Sequence, residues 1–153
     1  MTENKPRQIV YHAVLPFRYS AGHAANRFFA ELRDHRRILA TRCQKCGKAY
    51  VPPRPVCGEC FEPLDTWVEV GPRGTLVGFT VVHFPFLDPL TGKARQVPYG
   101  YGFIVLDGAA TKIQHFLGET DIDKLRFGLK VEPVFKEKRE GNFADIEYFR
   151  IVG

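Results

Sequence analysis

The sequence predicts a mainly β protein with one N-terminal helix, a four-cysteine ribbon and a C-terminal barrel. Three observations lead to this prediction. All four cysteines fall within residues 43–60, and a single helical pattern precedes them. Six short runs rich in Val, Ile, Phe, Tyr and Thr follow, separated by Gly, Pro and Asp, as expected of strands joined by turns.

Length and composition limit the broad class. A chain of 153 residues suits one ordinary domain with a small module, and 44% hydrophobic residues can build a packed core. No apolar run approaches the ~20 residues of a membrane span, and the first residues lack the apolar stretch of a signal peptide. We therefore expect a cytoplasmic protein that does not enter a membrane.

Residues 1–19 are predicted to form an extended arm. Its second half is apolar without a helical or strand period, and Pro16 interrupts it. An apolar arm is costly to leave in water, so it either packs on its own chain or docks on a partner. Val14, Phe17 and Tyr19 are the candidate partner contacts of this arm.

Residues 20–40 are predicted to hold the helix, with the helical pattern running over residues 21–39. Ser20 is suited to cap its start. Large apolar side chains recur on one side of the pattern, at Phe28, Phe29, Leu32 and Leu39.

Residues 41–66 are predicted to form a rubredoxin-like zinc ribbon. Two Cys-x-x-Cys pairs, with ten residues between them, are made by Cys43, Cys46, Cys57 and Cys60. Facing pairs of this kind form a tetrahedral thiolate cage for zinc, and iron suits the same four thiolates. Disulfides are disfavoured in a reducing compartment, and a thioredoxin-like redox site needs one Cys-x-x-Cys pair rather than two.

The four-cysteine cage also limits the chemistry of the chain. A closed site has no open coordination position, so the metal is expected to be structural. Every cysteine is then used, and no thiol remains to act as a nucleophile. The histidines are scattered and no Gly-x-Ser-x-Gly segment occurs. We therefore predict no catalytic residue in this chain and no activity of the chain alone.

Residues 67–153 are predicted to form an OB-type Greek-key barrel. One short helix is expected over residues 121–126, between the third and fourth strands, which is the order of an OB-type barrel. Gly100 and Gly102 lie inside a predicted strand, where they indicate barrel curvature or a close approach of the backbone. The predicted strands cover residues 67–70, 74–84, 99–107, 111–117, 129–137 and 144–151.

The connection over residues 84–98 is longer than most barrel connections. It contains three prolines and several large apolar residues. Long loops are usually functional or disordered, and the apolar content argues against disorder. Phe84, Phe86 and Leu87 are therefore candidate partner contacts.

The distribution of charge argues against nucleic-acid binding. The net charge is +5, and residues 1–42 alone hold eight Lys/Arg and three Asp/Glu. The ribbon and the barrel are each formally neutral, whereas a groove that follows phosphates needs clustered cations. A nucleic-acid-binding zinc-ribbon/OB module is kept as the alternative function.

Several segments carry a resemblance to a known family. They are Cys43-Gln-Lys-Cys-Gly, Pro52-Pro-Arg-Pro-Val-Cys, Gly71-Pro-Arg-Gly-Thr and Phe127-Gly-Leu-Lys-Val. Over roughly residues 20–151 the chain resembles the zinc-ribbon/OB-fold proteins associated with acyl-CoA metabolism and thiolase-type enzymes. Cys57-Gly-Glu-Cys departs from the proline that usually follows the third cysteine of that family.

The resemblance implies a small, non-catalytic partner of a thiolase-fold subunit, which carries the reactive cysteine. It also implies a role in acyl-CoA binding or in assembly of the complex. Coenzyme A carries phosphates that pair with Arg or Lys and an adenine that stacks on flat groups. Arg54, Arg73, Lys93 and Arg95 lie on predicted turns and are the candidate coenzyme A contacts.

Overall fold

A computed structural model describes residues 19–87 and 92–152 and confirms the mainly β class. Within these ranges no helix is long and apolar enough to cross a membrane. The arm residues Val14 and Phe17 lie outside the described residues, so their predicted partner contact stays a prediction.

The helix α1 runs from His23 to His35 and is shorter than the predicted segment. It ends because Arg36 adopts the left-handed conformation (φ 56°), and the N–H of Arg37 donates to the carbonyl of Glu31. Ser20 accepts a hydrogen bond from the N–H of Gly22, the residue before α1, rather than from the first turn itself.

A three-stranded antiparallel sheet follows α1. Its strands are β1 (Leu39–Arg42), β2 (Ala49–Tyr50) and β3 (Thr66–Glu69), in the order β2-β1-β3. The strand expected over residues 67–70 thus pairs with β1 of the ribbon rather than with a barrel strand. The proposed domain division at residue 67 stays a prediction.

Five further strands close into a barrel in the order β4-β5-β6-β8-β7. Only the β6–β8 pairing is parallel, and β7 pairs with β4 to complete the circle. This is the predicted OB-type topology, with a short 3₁₀ turn between β6 and β7 where a helix was expected. The strands are β4 (Gly74–Val82), β5 (Tyr99–Leu106), β6 (Lys112–Leu117), β7 (Lys130–Phe135) and β8 (Ile146–Val152).

One apolar core joins helix, ribbon sheet and barrel. It includes Phe28 and Leu32 of α1, Ala49 of β2, and Leu76 and Phe149 of the barrel. Because these side chains share one core, the ribbon sheet cannot move on the barrel without exposing apolar surface to water.

A threonine side chain adds a polar link between ribbon and barrel. The hydroxyl of Thr111, just before β6, donates to the carbonyl of Val51 at 2.7 Å and accepts from the N–H of Val51 at 2.8 Å. Both backbone groups of Val51 are thereby satisfied in a residue that is almost fully buried.

The close-approach interpretation of two strand glycines is confirmed. A Cβ added at Gly100 would lie 2.3 Å from the carbonyl oxygen of Glu119. At Gly102 it would lie 2.7 Å from a methyl of Leu76. β5 therefore needs glycine where it curves against the rest of the barrel.

The β7–β8 loop, residues 136–145, is held by a buried carboxylate. Asp145 is 2% exposed, and its oxygens accept hydrogen bonds from the N–H groups of Glu140, Gly141 and Asn142 at 2.8, 2.8 and 3.2 Å. The sequence alternation places Asp145 within a strand, but β8 begins at Ile146, because Asp145 closes a capping box with Asn142.

The same loop is fastened to α1. The ring of Phe143 packs 5.5 Å from that of Phe28 and 5.3 Å from that of Phe29, measured between centroids. Arg139 also donates from Nε to the carbonyl of Arg33 at 2.6 Å. The helix therefore determines where this barrel loop lies.

The two histidines predicted on strands differ in environment. His115 in β6 is buried, and its Nε2–H donates to the carbonyl of Phe143 at 3.1 Å. Its Nδ1 has no hydrogen-bond partner among the described residues. His83 lies just beyond β4 and is exposed. The prediction of a structural histidine with both ring nitrogens hydrogen-bonded is thus met at Nε2 of His115 and not at Nδ1.

His115 should make stability depend on pH. Burial lowers the pKa of His115 below its ordinary value of 6.5, while the hydrogen bond to Phe143 opposes this shift. Below that value the unfolded chain binds more protons at His115 than the folded chain, so folding stability falls as pH falls. Between about pH 7 and about pH 5, wild type should lose more unfolding free energy than His115→Gln.

Urea unfolding at each pH measures this difference, with His83→Gln as the exposed control. His83→Gln should follow the wild-type pH dependence. Parallel curves for wild type and His115→Gln would contradict the assignment.

Candidate metal centre and adjoining grooves

The two cysteine pairs lie on two turns with matching backbone geometry. In the first turn the N–H of Gly47 donates to the carbonyl of Cys43 at 2.8 Å. In the second turn the N–H of Phe61 donates to the carbonyl of Cys57 at 3.1 Å. Each turn thereby aims two sulfurs at one centre.

The sulfur atoms fit a tetrahedral metal site. The four Sγ atoms all lie within 4.8 Å of one another, and those of Cys46 and Cys57 are 3.7 Å apart. A zinc ion with Zn–S bonds of about 2.3 Å separates tetrahedral sulfurs by about 3.8 Å. The cage therefore has the size expected of a four-thiolate zinc site.

The surroundings of the cage stabilise one thiolate strongly. The hydroxyl of Tyr50 lies 3.2 Å from Sγ of Cys57, and the N–H of Cys60 lies 3.4 Å from the same sulfur. Donation from these groups lowers the pKa of Cys57 to about 6. The bond to Cys57 raises the pKa of Tyr50 to about 12, which keeps the hydroxyl protonated as the donor.

The thiol of Cys60 does not share this stabilisation. Burial, together with the neighbouring cysteines, raises the pKa of Cys60 to about 12. Four thiolates at this separation repel one another and need a cation at their centre. The chemistry of the donor set therefore supports a structural Zn²⁺ held by all four cysteines.

The proline-rich turn between the cysteine pairs is fixed by a buried hydroxyl. Thr41 donates to the carbonyl of Arg54 at 2.9 Å and accepts from the N–H of Arg54 at 3.0 Å. The guanidinium of Arg54 then lies 5.5 Å from the centroid of the Tyr50 ring. The roles of Thr41 and Tyr50 could not be predicted from the sequence, since single Thr and Tyr residues carry no spacing signal.

Two of the predicted coenzyme A contacts line adjoining grooves on the β5–β6 face. Arg54 lines a groove of about 530 Å³, and Arg95 lines one of about 720 Å³. Gln114 of β6 lines both grooves, so they are neighbours. The larger groove is completed by polar, charged and apolar side chains of the strands and the β7–β8 loop, namely Tyr101, His115, Phe116, Lys136, Asn142, Phe143, Ala144, Ile146 and Glu147.

The guanidinium of Arg95 lies over an aromatic ring of this groove. Its central carbon is 3.9 Å from the centroid of Phe116, a favourable cation–π distance. Arg95 precedes β5, whereas Phe116 belongs to β6, so only the folded barrel brings the two together.

The other two predicted contacts lie elsewhere. Arg73 forms an ion pair with Glu132 of β7 at 3.8 Å, on the β7–β8 side of the barrel. Lys93 is exposed in the connection between β4 and β5. The structure therefore does not bring the four cations into one site. Arg54 belongs to the ribbon and Arg73 lies beside β7, whereas Lys93 and Arg95 lie in the β4–β5 connection.

The described residues of the predicted partner surface are all exposed. These are Tyr19 (82%), Phe84 (67%), Phe86 (53%) and Leu87 (65%). Exposure makes them accessible to a partner, and their contact role stays a prediction.

The purified chain should contain about one zinc per molecule. Cys57→Ser, which removes a buried ligand, should lose zinc and lower the soluble yield, because folding of such a ribbon is coupled to the metal. Elemental analysis and chelator-driven zinc release measure both effects. A red-brown iron protein, or native cysteines that label fully with a thiol reagent, would contradict the zinc assignment.

Two curated relatives are similar to most of the chain. Both are described as DUF35 domain-containing scaffold proteins. The one from Methanocaldococcus jannaschii is 25% identical over 124 residues, covering 80% of this chain and 84% of the relative. The one from Methanothermobacter thermautotrophicus is 25% identical over 109 residues, covering 67% of this chain and 74% of the relative.

Two solved structures share the fold. A protein described as an Ltp2-ChsH2(DUF35) aldolase matches with a TM-score of 0.61 and 26% identity, covering 87% of this chain and 98% of that one. A Sulfolobus solfataricus DUF35 protein of unknown function matches with a TM-score of 0.60 and 20% identity, covering 85% and 84%. The second likeness is one of fold alone.

Two family descriptions match consecutive parts of the chain. Residues 30–65 match the ChsH2 rubredoxin-like zinc ribbon domain, and residues 67–136 match the ChsH2 C-terminal OB-fold domain. The order of the two domains agrees with the cysteine cage and the closed barrel described above. The chain therefore combines a ChsH2-type zinc ribbon with a ChsH2-type OB-fold domain, and it has homologues described as DUF35 scaffold proteins.

Proposed function

We propose that this chain is the non-catalytic, zinc-containing subunit of a thiolase-type complex that acts on acyl-CoA. The observation that carries the proposal is the cysteine cage, because it uses all four thiols of the chain. An acyl group must then be accepted by a cysteine of another subunit.

The relatives support a role beside a catalytic subunit. The curated relatives are described as scaffold proteins, and the solved relative with 26% identity is described together with Ltp2. We propose that the partner here is a thiolase-fold subunit in the cytoplasm, and that the arm and the exposed residues Phe84, Phe86 and Leu87 contact it.

The proposed reaction is thiolytic cleavage of a 3-oxoacyl-CoA. The partner's cysteine attacks the 3-oxo carbonyl, the bond between C2 and C3 breaks, and C2 takes a proton. The thiol of free coenzyme A then releases the acyl group from the cysteine as a new thioester. A candidate substrate, suggested by the resemblance, is benzoylsuccinyl-CoA of anaerobic toluene degradation.

The grooves of Arg54 and Arg95 suggest how this chain assists. Guanidinium groups pair with phosphate oxygens, and the aromatic rings of Tyr101 and Phe116 offer surfaces for a purine. Lys136 places a second cation in the larger groove, which Glu147 also lines, so the groove has a formal excess of one positive charge. We propose that this groove holds the nucleotide end of coenzyme A, while the thioester reaches the partner's cysteine.

Reconstitution tests the proposal. The catalytic subunit and this chain, purified separately, should each be inactive and should cleave a 3-oxoacyl-CoA only when mixed with free coenzyme A. Loss of free thiol and formation of the shorter acyl-CoA are measured by chromatography.

Three outcomes would contradict the proposal. Full activity of the large subunit alone would remove the need for this chain. Cleavage that consumes no coenzyme A would indicate aldol chemistry rather than thiolysis. Submicromolar, salt-sensitive binding of single-stranded oligonucleotides at ~0.15 M salt would favour the alternative nucleic-acid module.

The cation of the larger groove can be tested against a matched cation outside it. In the assembled complex, Arg95→Ala should weaken binding of the coenzyme A ester by roughly tenfold, because it removes one charge-assisted contact. Arg73→Ala should leave binding unchanged, since Arg73 pairs with Glu132. Calorimetric titration with a non-cleavable ester measures both, and equal effects would contradict the assignment.

A further inference from the structure

Phe61 combines two unfavourable features. Its backbone is in the left-handed region (φ 58°), which a bulky residue rarely adopts. Its side chain is 81% exposed. Strain of this kind persists where the surrounding structure enforces it and often marks functional positions.

The first cysteine turn shows what the position requires. Gly47 follows Cys46 as Phe61 follows Cys60, with φ 74° and the same N–H donation to the first cysteine's carbonyl. Glycine therefore suffices for this turn geometry. The core of the ribbon is built from Cys43, Tyr50, Cys57 and Leu64, with Cys60 packed against it, and Phe61 is not among its members.

The surroundings of Phe61 are apolar and electrically balanced. Val56, at the start of the same turn, is 45% exposed and bridges to Pro63. The two acidic residues of the turn are paired with lysines of the first turn, as Glu59 with Lys48 and Glu62 with Lys45. The tip of the second turn therefore offers an aromatic side chain with little net charge around it.

We infer that Phe61 is an anchor that inserts into an uncharged pocket, lined by aliphatic or aromatic side chains, on the catalytic subunit. This inference rests on the proposed function. Aromatic anchor residues commonly contribute most of the binding free energy of an interface. A residue on a turn that a metal site holds in place loses little conformational entropy on binding. The charged residues around Phe61 are already paired with one another, which fits an uncharged pocket on the partner. A charged group in that pocket would lose its hydration on binding and find no unpaired opposite charge on this chain.

The experiment compares Phe61→Gly with Phe61→Leu. Glycine removes the ring and relieves the backbone, so the variant should keep its zinc and melt at or above the wild-type temperature. Its dissociation constant for the catalytic subunit should nevertheless rise at least about tenfold. Leucine retains an apolar anchor and should bind within about threefold of wild type.

The probe is the thiolase-fold protein that co-purifies with the tagged wild-type chain from its native host, identified by mass spectrometry and then purified. Binding is measured by calorimetry, zinc by elemental analysis, and stability by thermal unfolding. A variant that binds more weakly while melting no lower separates an interface role from a structural one.

The outcomes distinguish this inference from the proposed function. If the wild-type chain binds no thiolase-fold protein, both the proposed function and the anchor role of Phe61 are contradicted. If wild type binds and Phe61→Gly binds equally well, only the anchor is overturned. Loss of zinc from Phe61→Gly would assign Phe61 a structural role and overturn the anchor. If Phe61→Leu binds the catalytic subunit as weakly as Phe61→Gly does, an apolar pocket is excluded. Self-association of wild type that Phe61→Gly abolishes would make a second copy the occupant and overturn the inference.

Discussion

Four sulfur atoms within 4.8 Å of one another impose the main constraint on this protein. They cannot all ionise without a cation, so the ribbon depends on a metal for its charge balance and its fold. The cage then fixes both cysteine turns and, through Thr41, the proline-rich turn that carries Arg54. The cage also uses every cysteine of this chain.

The helix shapes the barrel surface although it carries no site residue. Phe143 packs against α1, and Arg139 reaches a carbonyl of the helix, so the β7–β8 loop is held in one place. Asp145 closes the loop by accepting three backbone hydrogen bonds. Residues of this loop line the larger groove together with Arg95. The contacts between α1 and the loop therefore also determine the position of the loop residues that line the groove.

The net charge of the barrel sequence does not reveal where its charged side chains lie in the fold. Residues 67–153 hold equal numbers of acidic and basic side chains. In the fold, however, Glu132 lies on the β7–β8 side with Arg73 and Arg150, and the carboxylate of Asp145 is used by backbone N–H groups. Arg95 and Lys136 line one groove, together with a single acidic residue, Glu147. A formally neutral domain can thus carry a small local excess of positive charge that its composition does not reveal.

The sequence by itself determined the metal ligands and the fold class, because cysteine spacing and strand periodicity are local signals. It also located Gly100 and Gly102 as points of close approach. Only the tertiary structure decided that residues 66–69 join the ribbon sheet, since strand pairing depends on partners distant in the chain. Likewise, it separated Arg54 and Arg95 from Arg73, and it revealed the strained, exposed Phe61. These features depend on where the folded chain places each side chain, which no local pattern encodes.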